Sequence, residues 1–530
     1  RGSSPPPIRN LTIQDAVSRG RASLHVMALV DTSHVETQIE ELGCGKYQVL
    51  LLSTVGITFF IESLEMGAIS PLHTALGHAY SLTRGQRVEL AAFTYIGSMG
   101  GMFIAGPLAD CFGRRRALLL ALVLLCLTSC LHAVLPDGAP PWCLFFLRVV
   151  SGVGSAIVVP SGYTLAAEST PETMRLHMVF GTSFLGTLGY LLEALAIHWF
   201  MPHFGEEDSD HWRGLCLFIG LPALVALPLV WLVSESPGFL ATNARWDECS
   251  RTLKTIAAWN RAPQSRRMEA SWLRNTSSLK GCDTSRWPSF TSIGMHYLPV
   301  MLVLGLMEAC KSFFTSGSAY LCKDLFELMR DRQAISPTML NVIASIAPLL
   351  GLLVGERFLW AGVRAQMLSW SIVAALSLLV LTFDRVRNSR WLVLAMVVLY
   401  KTAFGPMGMS LAMIKMQAFP TEFRTSAFAI ISVAGRLLCA LGPMLLEGLK
   451  PQEDAQSWSS GNLEVYMATL AAAAAAAGLL VFPIPRACSN LPRLRSLSNV
   501  NLQSCGGDEE PSHIPSSPGY GSISRKVLKL

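Results

Sequence analysis

The polar and apolar positions of this chain fall into long blocks rather than into the short periods of soluble helices or strands. Twelve apolar runs lie at about 47–72, 88–110, 117–136, 142–167, 177–201 and 213–233, then 294–320, 337–355, 366–383, 391–416, 425–446 and 464–484. Each is close to the roughly 20 residues that an α-helix needs to cross the hydrocarbon core of a bilayer. A polar stretch of about 60 residues separates the first six runs from the last six. The pattern predicts an all-α membrane protein with twelve transmembrane helices in two six-helix bundles. The predicted parts are an N-terminal segment over 1–46, a bundle over 47–233, a linker over 234–293, a second bundle over 294–484 and a tail over 485–530. The tail is rich in Ser, Pro and Gly and has the composition of a disordered chain.

Composition agrees with lipid as the main solvent. Of 530 residues, 51% are hydrophobic and 15% are charged, against about 25% charged in ordinary soluble proteins. This excludes a disordered chain as a whole and argues against a soluble multidomain enzyme. The net charge of +6 is carried on no basic arm, so no nucleic-acid partner is expected. The 13 cysteines lie mostly in apolar runs, as Cys126 and Cys130 do, and form no CxxC pair. They read as small core residues rather than disulfides or metal ligands.

Counting cations on alternate sides sets the expected orientation. With the N-terminus in the cytosol, 27 of the 42 Lys and Arg fall on inner segments, 10 on outer loops and 5 within the runs. Both termini are then cytosolic. The loop 384–390, with Arg385, Arg387 and Arg390, runs against the trend. The sequons at Asn10 and Asn275 fall on the cytosolic side and should be unused.

The two halves echo each other. Arg148-Val-Val-Ser-Gly152 in run 4 has the spacing of Lys401-Thr-Ala-Phe-Gly405 in run 10. Glu168-x-x-Pro171-x-x-x-Arg175 after run 4 matches Gln417-x-x-Pro420-x-x-x-Arg424 after run 10. Two motifs repeated in the same order indicate duplication of a six-helix unit, hence pseudo-symmetric bundles.

Between runs 2 and 3 stands Gly106-Pro-Leu-Ala-Asp110-Cys-Phe-Gly113-Arg114-Arg115-Arg116. Gly106 and Gly113 allow a tight turn, and Asp110 can cap a helix N-terminus or pair with an arginine. Such a contact can form in one conformation and break in another, which makes it a candidate latch. The second copy, Gly351 to Arg364, has Leu359 where the acidic residue is expected, with Glu356 as a possible substitute.

The Gly106–Arg116 pattern resembles the loop signature of the major facilitator superfamily. Glu168–Arg175 and Ser234-Glu-Ser-Pro237 resemble the sugar porters and their relatives, although Ser234 and Gly238 depart from the usual Pro-Glu-Ser-Pro-Arg. Three further stretches are similar to synaptic vesicle 2-related proteins, a branch near the organic ion and sugar porters. They are Ile39-Glu-Glu-Leu-Gly-Cys-Gly-Lys-Tyr-Gln48, Glu62-Ser-Leu-Glu65-Met66 and Arg245-Trp-Asp-Glu-Cys249 through Asn260. The resemblance runs from about residue 35 to 485 and implies the major facilitator fold, alternating access and function as a monomer. It implies gate roles for Gly106, Asp110, Gly113, Arg114, Arg115, Glu168, Arg175 and Arg424, and the equivalent places of Arg148 and Lys401 in the two halves give these two the same expectation.

Charges inside the runs are costly, about 2.5–3.5 kcal/mol at a helix centre even on the mild insertion scale. Glu62 and Glu65 share one helix face, so they are expected to hold a proton between them or to seat a cationic group. Glu193 in run 5 and the Glu308–Lys311 pair in run 7 complete the candidates for substrate binding or proton coupling. Lys311 could receive a substrate carboxylate. Arg436 is isolated in sequence and needs a partner, and His198 reads as interfacial. Phe59, Phe60, Tyr95, Tyr190, Phe313, Phe314 and Phe404 could face a cavity.

No Walker A, HExxH, GxSxG or metal cluster is legible, and Gly43-Cys-Gly-Lys46 lacks the phosphate-loop spacing. The expectation is therefore no enzyme, no cofactor and no metal. The leading reading is a secondary transporter of a small organic solute, with protons as coupling ions. The alternatives are a sugar or neutral-solute porter and a vesicle receptor or scaffold that no longer transports. Cell surface and internal vesicle both stay open as its membrane.

Overall fold

The computed structural model describes residues 35–204, 211–262, 290–328, 336–358, 361–419, 424–447 and 460–484. The first 34 residues, the tail, both sequons and Leu359 lie outside them. Twelve described helices are long and apolar enough to cross a membrane. In the first half these are α1 (Lys46–Gly67), α2 (Arg84–Phe112), α3 (Arg114–Val134), α4 (Pro141–Glu168), α5 (Arg175–Phe200) and α6 (Trp212–Leu232). In the second half they are α7 (Phe290–Leu328), α8 (Pro337–Arg357), α9 (Val363–Leu381), α10 (Arg390–Ala418), α11 (Arg424–Glu447) and α12 (Ser460–Leu479). Each of the twelve apolar runs becomes one of them. The first is longer than its run, because α1 bends at Ala68 and continues as Ile69–Ala79.

Small residues let helix backbones meet where lipid offers no hydrophobic drive for association. A β-carbon on Gly152 of α4 would collide with the Thr94 carbonyl of α2, and one on Gly351 of α8 would collide with the Thr402 carbonyl of α10. The α2–α4 and α8–α10 contacts are the same contact in the two halves, as the repeated Arg148 and Lys401 motifs anticipate. Lipid-facing surfaces carry exposed Trp142, Trp199, Trp231 and Trp391, as membrane-interface anchors do.

One face of the molecule, here the linker side, holds the turns at Gly113 and Gly362 and the segments that follow α4, α6 and α10. On this side the buried core runs continuously through both halves, from Ala105, Ala109 and Tyr163 to Met409, Ala412, Met413 and Phe428. On the opposite side the first half has its own core around Leu64, Leu76 and Trp212. There a small group of Ile69, Tyr95 and Cys439 joins the halves. Among the described residues the apolar seal between the halves is therefore heavier on the linker side.

The stretch expected to be a plain linker begins with two helices, Pro237–Thr242 and Trp246–Asn260. A further helix covers 35–42. Asn260 joins them to α1. Its Oδ1 accepts the Tyr47 N–H at 3.1 Å, and its amide donates to the Gly43 carbonyl at 3.0 Å and to Gln48 Oε1 at 2.9 Å. The family-like residues around Gly43 and Asn260 are thus two sides of one clasp. The cationic loop 384–390 also has a physical explanation: Arg387 pairs with Asp384 and, at 2.9 Å, with Glu464 of α12.

Candidate functional site

Among the described residues the buried ion pairs fall into three groups. The first lies on the linker side, where the ends of α2, α3, α4 and α11 meet. Asp110 sits in the last turn of α2 and Arg114 in the first turn of α3, so a short connection places them 3.1 Å apart. Gly113 makes that connection with φ +107°, which L side chains rarely adopt. Arg114 also pairs with Glu168 at the end of α4 at 3.3 Å, and its guanidinium lies 4.7 Å from the Phe239 ring centroid. Glu168 accepts the Ser236 hydroxyl at 2.5 Å. The Arg114 and Glu168 side chains are almost fully buried.

Glu235 closes this knot from the segment after α6. It accepts the Arg115 N–H at 3.1 Å and the Ser236 N–H at 3.1 Å. Burial pushes its carboxyl above the usual range, and those backbone donors hold it partly down. Arg115 turns away from the knot and caps α6, donating to the Val230 and Trp231 carbonyls at 3.1 and 2.5 Å. Arg175 caps α4, donating to the Ala167 and Thr170 carbonyls at 3.0 and 3.3 Å, and pairs with Glu36 at 3.3 Å. Arg424 repeats this role after α10, donating to the Phe419 carbonyl at 3.2 Å.

Asp110 reaches across to the other half. Ser426, in the first turn of α11, donates to Asp110 Oδ2 at 2.5 Å. A carboxylate at a helix N-terminus is also favoured by the helix dipole. Gly106, one turn earlier, lies so close to α11 that a β-carbon would stand 2.6 Å from the Ser426 Cα. The latch residues thus hold the first half together and bind the second half to it.

The second group belongs to α1. Glu62 and Glu65 do not share one environment, because each has its own arginine. Glu65 pairs with Arg148 of α4 at 3.4 Å and accepts the hydroxyls of Ser151 at 2.5 Å and Ser129 at 3.1 Å. Glu62 pairs at 3.4 Å with Arg436 of α11, the partner that sequence alone could not name. Helical spacing puts the two carboxylates three residues apart, but bundle packing turns one toward the first half and the other toward the second. Arg148 accordingly belongs with Glu65, about 30 Å along α4 from Glu168, and not with the linker-side knot.

The third group lies in the second half. Glu308 of α7 accepts from Lys311 at 2.7 Å and from Lys415 of α10 at 2.9 Å. Lys415 also donates to Ser432 at 3.1 Å and stands 3.7 Å from the Phe428 ring centroid. Lys415 had no role in the sequence reading; its signal was a lysine inside an apolar run, hidden by its position near the run's end. Toward the linker side, Phe59, Tyr163 and Phe428 form a continuous aromatic run from the first half to the second, with centroids 4.5 and 5.9 Å apart. Of these only Phe59 was a sequence candidate. Phe314 and Phe404 pack edge to face with each other at 5.3 Å.

Glu193 of α5 is buried against Gly67, and its Oε1 has no hydrogen-bond partner. Lys401 lies near enough to act on it electrostatically and donates to Asn341 at 3.3 Å. His198 is not merely interfacial: its Nδ1 and the Thr338 hydroxyl share a hydrogen bond of 2.8 Å between α5 and α8. Among the described residues no group of His, Cys, Asp or Glu could hold a metal ion.

The Major Facilitator Superfamily profile matches residues 55–443. The niacin transporter NiaP of Acinetobacter baylyi is 31% identical over 42% of this chain and 48% of its own length. A synaptic vesicle 2-related protein of Xenopus laevis is 29% identical over 44% of this chain and 41% of its own. Human synaptic vesicle glycoprotein 2B is 27% identical over 45% and 36%. The matched part thus spans less than half the length of these relatives. Among solved structures, the proton:xylose symporter XylE bound to 6-bromo-6-deoxy-D-glucose superposes with a TM-score of 0.64 at 18% identity, over 85% of this chain and 98% of that one. The inward-open xylose transporter XylE from E. coli gives 0.60 at 17% identity, over 82% and 95%. These likenesses bear on the fold alone.

Proposed function

The chain belongs to the major facilitator superfamily of membrane transporters, and on that premise we propose that it is a secondary active transporter of a small organic ion, coupled to protons. The observation that carries this reading is the gathering of buried ionisable side chains from both halves at the interface between them. Helices that only had to pack would gain nothing from such groups, which are expensive in lipid. The cation count places the linker side in the cytosol. The heavier seal on that side then describes a state closed to the cytosol. Rocking the halves apart on the linker side must break the Asp110–Ser426 contact.

The two carboxylates of α1 have separate tasks. Glu65 and Arg148 form a switch within the first half, because a proton on Glu65 removes the charge that holds Arg148. Glu62 carries the change to the second half through Arg436. Glu193, a buried carboxyl with an unoccupied oxygen, is a further proton station. An organic ion is favoured over a sugar because α7 offers Glu308 and Lys311 in place of paired amides, and because a relative is named a niacin transporter. One copy holds both halves of the pathway, so the working unit is a monomer. The weakened turn between α8 and α9 favours a second reading, a non-transporting receptor, and the buried carboxylates count against it.

Purified protein in liposomes with an imposed pH gradient, offered a panel of organic cations, anions and sugars, tests the proposal. Wild type should concentrate at least one organic ion. Glu65→Gln should lose concentrative uptake and keep part of its downhill exchange, and Glu62→Gln should show a smaller loss of the same kind. A double variant that concentrates solute with wild-type pH dependence would return both residues to a packing role.

A further inference from the structure

The central charges do not balance. Glu62 and Glu308 supply two negative charges, whereas Lys311, Lys415 and Arg436 supply three positive ones. The five side chains form a single neighbourhood. Gly435 packs α11 on α7, where a β-carbon would stand 2.8 Å from Glu308 Cγ, and Arg436 follows directly. Lys311 lies within electrostatic reach of Glu62. A net positive charge buried in this setting carries a desolvation cost that an added anion would relieve.

The cations and carboxylates also differ in access. The Lys311 and Arg436 side chains are each 19% exposed, while Glu308, Glu62 and Lys415 are at 9%, 8% and 4%. The reachable surface of the cluster is therefore cationic, with the carboxylates behind it. Lys311 spends one of its three donors on Glu308. Arg436 places one nitrogen 3.4 Å from Glu62 and another 3.7 Å from the Met66 sulfur, both long contacts. These donors remain able to take a carboxylate or sulfonate. Lys415 is consumed by Glu308, Ser432 and the Phe428 face and serves to hold Glu308 in place.

Resting on the transport reading above, we propose that the transported solute is an organic anion whose acidic group docks on Lys311 and Arg436, with Lys415 positioning Glu308 behind them. A cationic solute would meet the two more accessible positive groups, and a neutral one would leave the excess charge uncompensated.

Four probes with the same ring and different charge test this on the full chain: benzoate, benzenesulfonate, benzamide and phenyltrimethylammonium. Binding is read from thermal stabilisation of purified protein, and flux from uptake into liposomes after subtraction of protein-free vesicles. Both anions should stabilise wild type and inhibit each other's uptake, and the other two should do neither. Lys311→Gln should weaken anion binding at least about tenfold. Lys311→Glu, checked for monodispersity, should invert the preference toward phenyltrimethylammonium. Binding of phenyltrimethylammonium or benzamide by wild type without the anions would overturn the inference and leave the transport reading standing. Equal anion binding by wild type and Lys311→Gln would overturn the docking site. If no probe binds, the inference falls, and the wider solute panel decides the transport reading separately.

Discussion

The glycine that precedes α3 and the glycine that precedes α9 share a backbone conformation and differ in their surroundings. Gly113 and Gly362 adopt nearly equal angles, φ +107° and ψ 151° against φ +87° and ψ 150°. Arg115 caps the last helix of the first half through the Val230 and Trp231 carbonyls, and Arg364 at the equivalent place donates to the Ile484 carbonyl, in the turn after the last helix of the second half. The charged knot is not repeated. Val363 stands in place of Arg114, exposed Gln417 in place of Glu168, and Glu356 makes no ion pair among the described residues. In its stead the Gln366 amide donates to the Gly355 carbonyl at 2.6 Å. The second copy therefore keeps the glycine conformation of the turn, and among the described residues only the first copy carries the buried charged contacts proposed as a latch. A transporter needs only one such latch if it also spans the halves, and Asp110 does so through Ser426.

This difference can be broken most severely at Arg114. Arg114→Ala leaves Asp110 and Glu168 buried without their cation, and about 3–5 kcal/mol of stability should be lost. Arg364→Ala removes a part-buried hydrogen bond to the Ile484 carbonyl and strands no buried charge of the knot's kind, so its cost should be smaller, about 1–2 kcal/mol. Thermal unfolding of the two purified variants checks the contrast. Similar losses would show that the two turns are equivalent after all.

The glycines give a smaller, sharper comparison. Alanine at either position meets the unfavourable φ, at about 1–3 kcal/mol. At Gly113 the new β-carbon would also collide with the Glu235 carboxylate, whereas at Gly362 it meets open space. Gly113→Ala should therefore be the less stable variant and should also alter the pH dependence of stability, because Glu235 must move. Burial raises the folded pKa of Glu235, so its contribution is greatest at low pH and is lost as pH rises through that raised value. Freeing Glu235 should flatten this part of the profile.

The smallest effect comes from rebuilding the knot in the second half. Val363→Arg alone removes a side chain packed on both cores and adds an unpaired cation. It should lower the melting temperature, and adding Gln417→Glu should recover part of the loss, with a coupling of about 0.5–1 kcal/mol. No recovery would mean that the register between the halves differs from the one drawn here.

The fold was legible because its signal is collective. Twelve apolar runs and one polar gap survive errors of several residues at every boundary, and bilayer thickness leaves few other solutions. The knot was legible for a different reason, since Asp110, Gly113 and Arg114 are neighbours in sequence and their pairing follows from one turn. The long-range partners were not. Arg436 and Glu62 are 374 residues apart and meet only when the bundles face each other. Lys415 was hidden because a lysine near the end of an apolar run resembles an interfacial anchor. The expected proton-sharing between Glu62 and Glu65 also depended on packing, because residues on one face of α1 can still point into different halves.

The claim that the first-half knot holds the linker side shut, and opens in transport, can be measured directly at Ala412. This residue is 4% exposed within the seal that joins the halves. Ala412→Cys, in a background with Cys44, Cys111, Cys282, Cys488 and Cys505 replaced, would be labelled from the linker side with a membrane-impermeant thiol reagent. The account predicts slow labelling with Asp110 intact and labelling about tenfold faster with Asp110→Asn, the consequence of losing one charge-assisted contact. Equal labelling rates, together with unchanged transport, would contradict it.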